Sequence, residues 1–83
     1  MSKPDKIIYD IILGDYTLDM IDDIDTTHWT EDYIDVLDVL YKLKKQDKSL
    51  TMEHIYKAGG QIVFLNALNA ITRVETLIEK GRL

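Results

Sequence analysis

Residues 61–80, QIVFLNALNAITRVETLIEK, run for twenty positions without proline or glycine and are apolar nearly all round from Ile62 to Ile71. Only Asn66 and Asn69 interrupt that stretch. A helix apolar on every side has to be enclosed, either by the rest of its chain or by a second subunit. That requirement sets the expected architecture: an all-α, compact bundle of four to five helices with this long C-terminal helix at its centre, in a single domain over residues 1–83. The same apolar breadth allows a homodimer through residues 62–78.

The remaining punctuation marks the other helices. Pro4 stands where a first helical turn tolerates it, and KIIYDIIL places Ile7, Ile8, Ile11 and Ile12 at helical spacing, with Gly14 as the stop. Asp15 or Thr17 caps a short second helix whose apolar positions are Leu18, Ile21 and Ile24. Thr30 caps a third, EDYIDVLDVLYKLKKQ, which buries Tyr33, Val36, Leu37, Leu40 and Leu43 on one stripe. This helix opens on Glu31 and Asp32 and closes on Lys42, Lys44 and Lys45, complementing its dipole at both ends, and Asp38 is placed to pair with Lys42. Ser49 or Thr51 starts a fourth, MEHIYKA, ended by Gly59 and Gly60, and Gly81 closes the fifth. No pair of strands with hairpin turn chemistry occurs.

Eighty-three residues give one core and no second lobe, burying roughly 60% of the unfolded surface. With no cysteine, disulfides, thiolate metal sites and cysteine nucleophiles are excluded. The start, MSKPDK, is polar where a signal peptide needs an apolar core, and no apolar run reaches the ~20 residues of a membrane span. A cytoplasmic location, with no membrane association, is the expectation.

Charge is unevenly spread. Residues 1–48 carry twelve acids and six bases, a net of −6, whereas residues 49–83 carry three acids and four bases, a net of +1. The acids concentrate in DDIDTTHWTED, residues 22–32, where five of them surround three threonines, a histidine and the only tryptophan. Read as a calcium loop from Asp23, this stretch has oxygen ligands at Asp23, Asp25, Thr27 and Glu31. The position that must be glycine, however, is His28, and the one that must be a bidentate glutamate is Ile34. His28 and His54 are the only histidines, and neither has a second at ligand spacing. No metal and no cofactor is therefore expected.

Catalysis is equally unsupported. The only serines, Ser2 and Ser49, lie in no nucleophile turn, and the glycines of AGGQ fit a helix end better than a phosphate loop. Asp22, Asp23 and Asp25 could pair as carboxylates, but general acid–base work also needs a pocket, for which a small helical bundle has little room. The expectation is a protein that is not an enzyme and takes no small-molecule substrate.

The C-terminal ITRVETLIEKGRL resembles the end of the recognition helix in MarR-type winged helix–turn–helix regulators, where a Thr-Arg pair precedes a leucine-lysine-glycine ending. The upstream VLDVLYKLKKQDKSLTMEHIYKAGG would supply the two preceding helices of such a unit. The resemblance implies a DNA-binding regulator in which Thr72 and Arg73 contact DNA. The helix opens on IVFL where a groove-reading helix shows polar residues, and Arg73 and Lys80 are nearly its only bases, so nucleic acid stands second as a partner.

The leading expectation is an acidic protein-binding regulator or inhibitor that docks on a basic protein surface. Its contact residues would be Asp22, Asp23, Asp25, Glu31, Asp32, Asp35 and Asp38, with Trp29 and Tyr33 as aromatic anchors. In kind, such a chain resembles the small acidic helical inhibitors that phages and mobile elements encode.

Overall fold

The computed structural model describes residues 3–82. It holds four helices: α1 (Lys3–Leu13), α2 (Leu18–Asp22), α3 (Glu31–Lys45) and α4 (Met52–Glu79), with no strand among the described residues. The all-α bundle with a long C-terminal helix is therefore the architecture observed.

α1 places Asp5 in its first turn, where the helix dipole favours a carboxylate, and stops at Leu13, where the Gly14 N–H still donates to Asp10 O at 2.8 Å. A Cβ at Gly14 would stand 2.6 Å from that same carbonyl oxygen, so the tight exit requires glycine. Thr17, the second of the two candidate caps, starts α2: its Oγ1 accepts from the Met20 N–H at 3.2 Å. Likewise Thr51 Oγ1 accepts from the His54 N–H at 3.2 Å and starts α4.

Thr30 occupies the N-cap of α3 with extended backbone but makes no side-chain cap bond, contrary to the expectation from sequence. Its carbonyl does accept from the Ile34 N–H at 3.0 Å, and Glu31 and Asp32 supply the favourable charge instead. Val36, Leu37, Leu40 and Leu43 form the predicted buried stripe, whereas Tyr33 is only half-buried at its edge. The expected Asp38–Lys42 pair does not form among the described residues. Both side chains are exposed, where holding two long chains together gains little.

The glycine pair ends the fourth expected helix as the sequence predicts. Gly60 leaves helical geometry, at φ 86° and ψ −177°, so α4 is two helical limbs, one up to Gly59 and one from Gln61, that meet at a sharp kink. Gly59 marks a close approach of α3: a Cβ there would stand 2.6 Å from Val63 Cγ1 and 3.0 Å from Val39 Cγ2. Across the kink, Tyr56 and Phe64 meet edge-to-face with centroids 5.5 Å apart.

The core is built by Ile8 and Ile11 of α1, Ile21 of α2, the α3 stripe, and Ile55, Val63, Ala67, Ala70 and Val74 of α4. Truncation of Leu40, wholly enclosed, would cost about 2–5 kcal/mol. Its own chain does not enclose α4 on every side. Only the face of Val63, Ala67, Ala70 and Val74 is covered, by α1 and α3, while Ile62 is 71% exposed and Leu65 and Leu68 also face outward. The reason is geometric. α2 is a single turn and a half that packs on α3 alone, so no element is left to cover the far side of α4. Among the described residues, no helix is long and apolar enough to cross a membrane.

Candidate functional site

Between α2 and α3 lies an open groove of about 360 Å³. The register of the two helices makes it. Ile21 is drawn into the core and anchors α2, which leaves Ile24, just past the helix end, half-covered opposite Ile34 and Leu37 of α3. Those four side chains form an apolar floor. Asp22 enters from α2, and Asp38 and Tyr41 from α3, to line the same groove.

The Tyr41 phenol shares the groove with the Asp22 carboxylate and is held above the usual tyrosine range. The main cause is the negative charge of Asp22, followed by desolvation, the polar influence of the same carboxylate and the charge of Asp19. The mouth of the groove is thus a concentration of negative potential over an apolar bed.

Around it the predicted acidic residues divide into two groups. Asp23, Glu31, Asp32, Asp35 and Asp38 are exposed, and none is in an ion pair among the described residues. Glu31, Asp35 and Asp38 fall at four- and three-residue spacing, so they line one outer stripe of α3. Asp22 and Asp25 are engaged locally instead. Asp25 Oδ1 accepts from the Thr27 N–H at 3.0 Å and from the Thr27 hydroxyl at 2.5 Å, which shapes the loop between the helices. That loop then closes with the Trp29 N–H donating to Thr26 O at 3.0 Å.

The two aromatic candidates sit deeper than anchors would. Trp29 and Tyr33 are half-buried and pack against the core. The Tyr33 hydroxyl donates to Asp5 Oδ1 at 2.5 Å and receives a hydrogen bond from Arg73 at 2.6 Å. Arg73 also lies 3.6 Å from Asp5, which is 2% exposed. Of the residues singled out by the winged-helix resemblance, Arg73 is thus tied to α1 and α3, and exposed Thr72 accepts the Thr76 hydroxyl on its carbonyl at 2.8 Å.

The sequence reading overlooked Asp5, Tyr41 and the groove floor. Two signals could have found them. Asp5 is in phase with Ile8 and Ile12, a carboxylate on an apolar stripe, and Tyr41 follows Asp38 by three residues on the same helix. Among the described residues, no three histidine or carboxylate side chains converge closely enough to hold a metal ion. No family model, curated protein or solved structure matches this chain.

Proposed function

We propose that this chain is a non-enzymatic regulator or inhibitor that docks its α2–α3 face on a basic surface of another protein. The observation that carries the reading is the placement of Asp35 and Asp38. Acidic residues in the first turn of α3 are explained by the helix dipole, whose influence fades within that turn. Asp35 and Asp38 lie beyond it, beside Glu31 on one stripe and without basic partners, an arrangement that costs a few tenths of a kcal/mol per like-charged pair. A use outside the fold accounts for that cost.

The groove beside them suits a lysine or arginine side chain of the partner. Its aliphatic stem would lie along Ile24 and Ile34, and its charged head would meet Asp22 and Asp38. Charge over the outer stripe would speed the encounter and make it salt-dependent.

The test is affinity capture from lysate with the tagged wild-type chain and with a doubly substituted Asp35→Asn, Asp38→Asn chain, each with and without nuclease. One protein, nuclease-resistant, retained by the wild type and lost by the variant, is the expected result. Recovery that disappears with nuclease and is the same for both chains would defeat the reading and bring DNA through Thr72 and Arg73 forward.

A further inference from the structure

The outer side of α4 raises a separate question, because an apolar helix face in an acidic protein has nothing of its own chain to cover it. From Gln61 to Thr72 there is no charged side chain at all, on a chain whose net charge is −5. Within that stretch the covered face is Val63, Ala67 and Ala70; the helix's 3.6-residue turn puts Leu65 and Thr72 opposite it, and exposed Leu68 on the adjoining flank beside half-buried Phe64 and Ile71. Phe64, Leu65, Ile71 and Thr72 surround Leu68, and Gln61 and Glu75 stand one turn further out on either side. Phe64, Leu68, Ile71 and Ile78 recur at four-, three- and seven-residue intervals, the spacing of a helix–helix seam.

We infer that this flank is a two-fold interface with a second copy of the same chain, α4 against α4 and antiparallel. Three features select a second copy. First, two copies of net charge −5 repel one another wherever acidic surfaces approach, and this is the long helix face where they do not. A basic partner, by contrast, would gain no electrostatic attraction here.

Second, the face is self-complementary. With a two-fold axis at Leu68, Leu68 meets Leu68, Leu65 meets Ile71, and Glu75 meets the neutral amide of Gln61. A parallel arrangement would set Glu75 against Glu75 and Glu79 against Glu79. Antiparallel packing also opposes the two helix dipoles.

Third, the area fits a weak dimer. The strip that this two-fold superposes, Gln61 to Glu75, is about 21 Å long and one helix wide, and two such strips remove somewhat under about 1,000 Å² from water, the range of a weak, reversible interface. A dimer of modest affinity, with a dissociation constant on the order of 1–100 μM, is what that area supports.

This inference does not depend on the acidic-face reading, since α2 packs on α3 and not on α4. The two respond oppositely to salt: docking through carboxylates weakens as salt rises, whereas screening the repulsion between copies holds or strengthens the dimer. Dimerisation would also display the α2–α3 groove twice.

The absence of cysteine makes the test direct. Sedimentation velocity of the full chain over increasing concentration should show a monomer–dimer equilibrium, weakened at least about tenfold by Leu68→Glu, which sets two like charges across the axis. Ile62→Glu, on the same helix and more exposed but off the seam, should leave the equilibrium unchanged, with circular dichroism reporting the fold of each variant. Under mild oxidation Leu68→Cys should convert to a covalent dimer and Ile62→Cys should not. A chain that stays monomeric at about 1 mM would overturn the inference and leave the stripe to a different protein. Equal cross-linking at both positions would overturn it as well.

Discussion

The Tyr33 hydroxyl donates to Asp5 Oδ1 across 2.5 Å, joining α3 to α1, and Arg73 of α4 donates to the same hydroxyl at 2.6 Å. One phenolic oxygen therefore ties together the three helices that build the core. It also resolves what a 2% exposed carboxylate is doing on the apolar side of α1: Asp5 is tolerated there because a donor and a guanidinium both face it.

Tyr33→Phe removes that donor and leaves the Asp5 carboxylate short of a hydrogen bond. A loss of about 1–3 kcal/mol is expected, read as a lower midpoint in urea unfolding. The pH dependence has a defined sign. Burial first, then the Asp5 hydrogen bond and charge, raise the Tyr33 pKa above its ordinary 10.0, against an opposing effect of Arg73. Below pH 10 the proton is present in both states and the contribution is complete. Above it the unfolded chain ionises first, so stability falls as pH rises through the raised folded value. Tyr33→Phe should flatten that alkaline decline; an unchanged slope would contradict the role assigned to the hydroxyl.

Gly60→Ala should destabilise the chain by about 1–3 kcal/mol although no atom lies within 4 Å of the added Cβ. The whole cost is in the backbone, since φ 86° with ψ −177° is a conformation reserved almost entirely for glycine. If thermal unfolding shows the alanine variant to be neutral, the kink is not required by the fold.

Asp47 follows α3 in the left-handed region, at φ 58°. Its N–H donates to Lys44 O at 3.0 Å, and the next N–H, of Lys48, reaches back to Leu43 O at 2.9 Å. This is the helix-ending motif in which glycine is preferred. Asp47→Gly should therefore stabilise by about 0.5–1 kcal/mol, equivalent to a rise of several degrees in Tm for a domain of this size.

Replacing Asp35 and Asp38 together by asparagine should leave stability unchanged or raise it by a few tenths of a kcal/mol, because it relieves like-charge repulsion on α3. Partner binding should fall at the same time. A marked drop in Tm would mean that these carboxylates serve the fold instead.

Much of the architecture was legible because helical periodicity is a local property. The stripe Val36, Leu37, Leu40 and Leu43 follows from residue type and spacing alone, which also narrow the caps of α2 and α4 to two candidates each, Thr17 and Thr51 among them. What escaped depended on pairs distant in sequence. The break at Gly59 and Gly60 was legible from the glycine pair, but the close approach of Val39 of α3 to Gly59 was not. How much of α4 its own chain covers was not legible, because apolar composition shows what a helix could bury, while the amount buried depends on how many elements reach it. The acidic stretch was visible as a cluster, yet its groove arises only when Ile21 docks and brings Asp22 beside Asp38 and Tyr41. The Asp5–Tyr33–Arg73 link, spanning 28 and 40 residues, had no local signature beyond a carboxylate in phase with isoleucines.

The measurement that bears most directly on the central claim is an amide-resolved NMR titration of the full chain with a short arginine-rich peptide, at low and at moderate salt. Docking through the acidic face requires saturable shifts confined to the groove, at Asp22, Ile24, Ile34, Asp38 and Tyr41 and along Asp35, weakened by salt and lost in the Asp22→Asn, Asp38→Asn chain. Shifts that never saturate, that survive those substitutions, or that fall on α4 around Thr72 and Arg73 would contradict it.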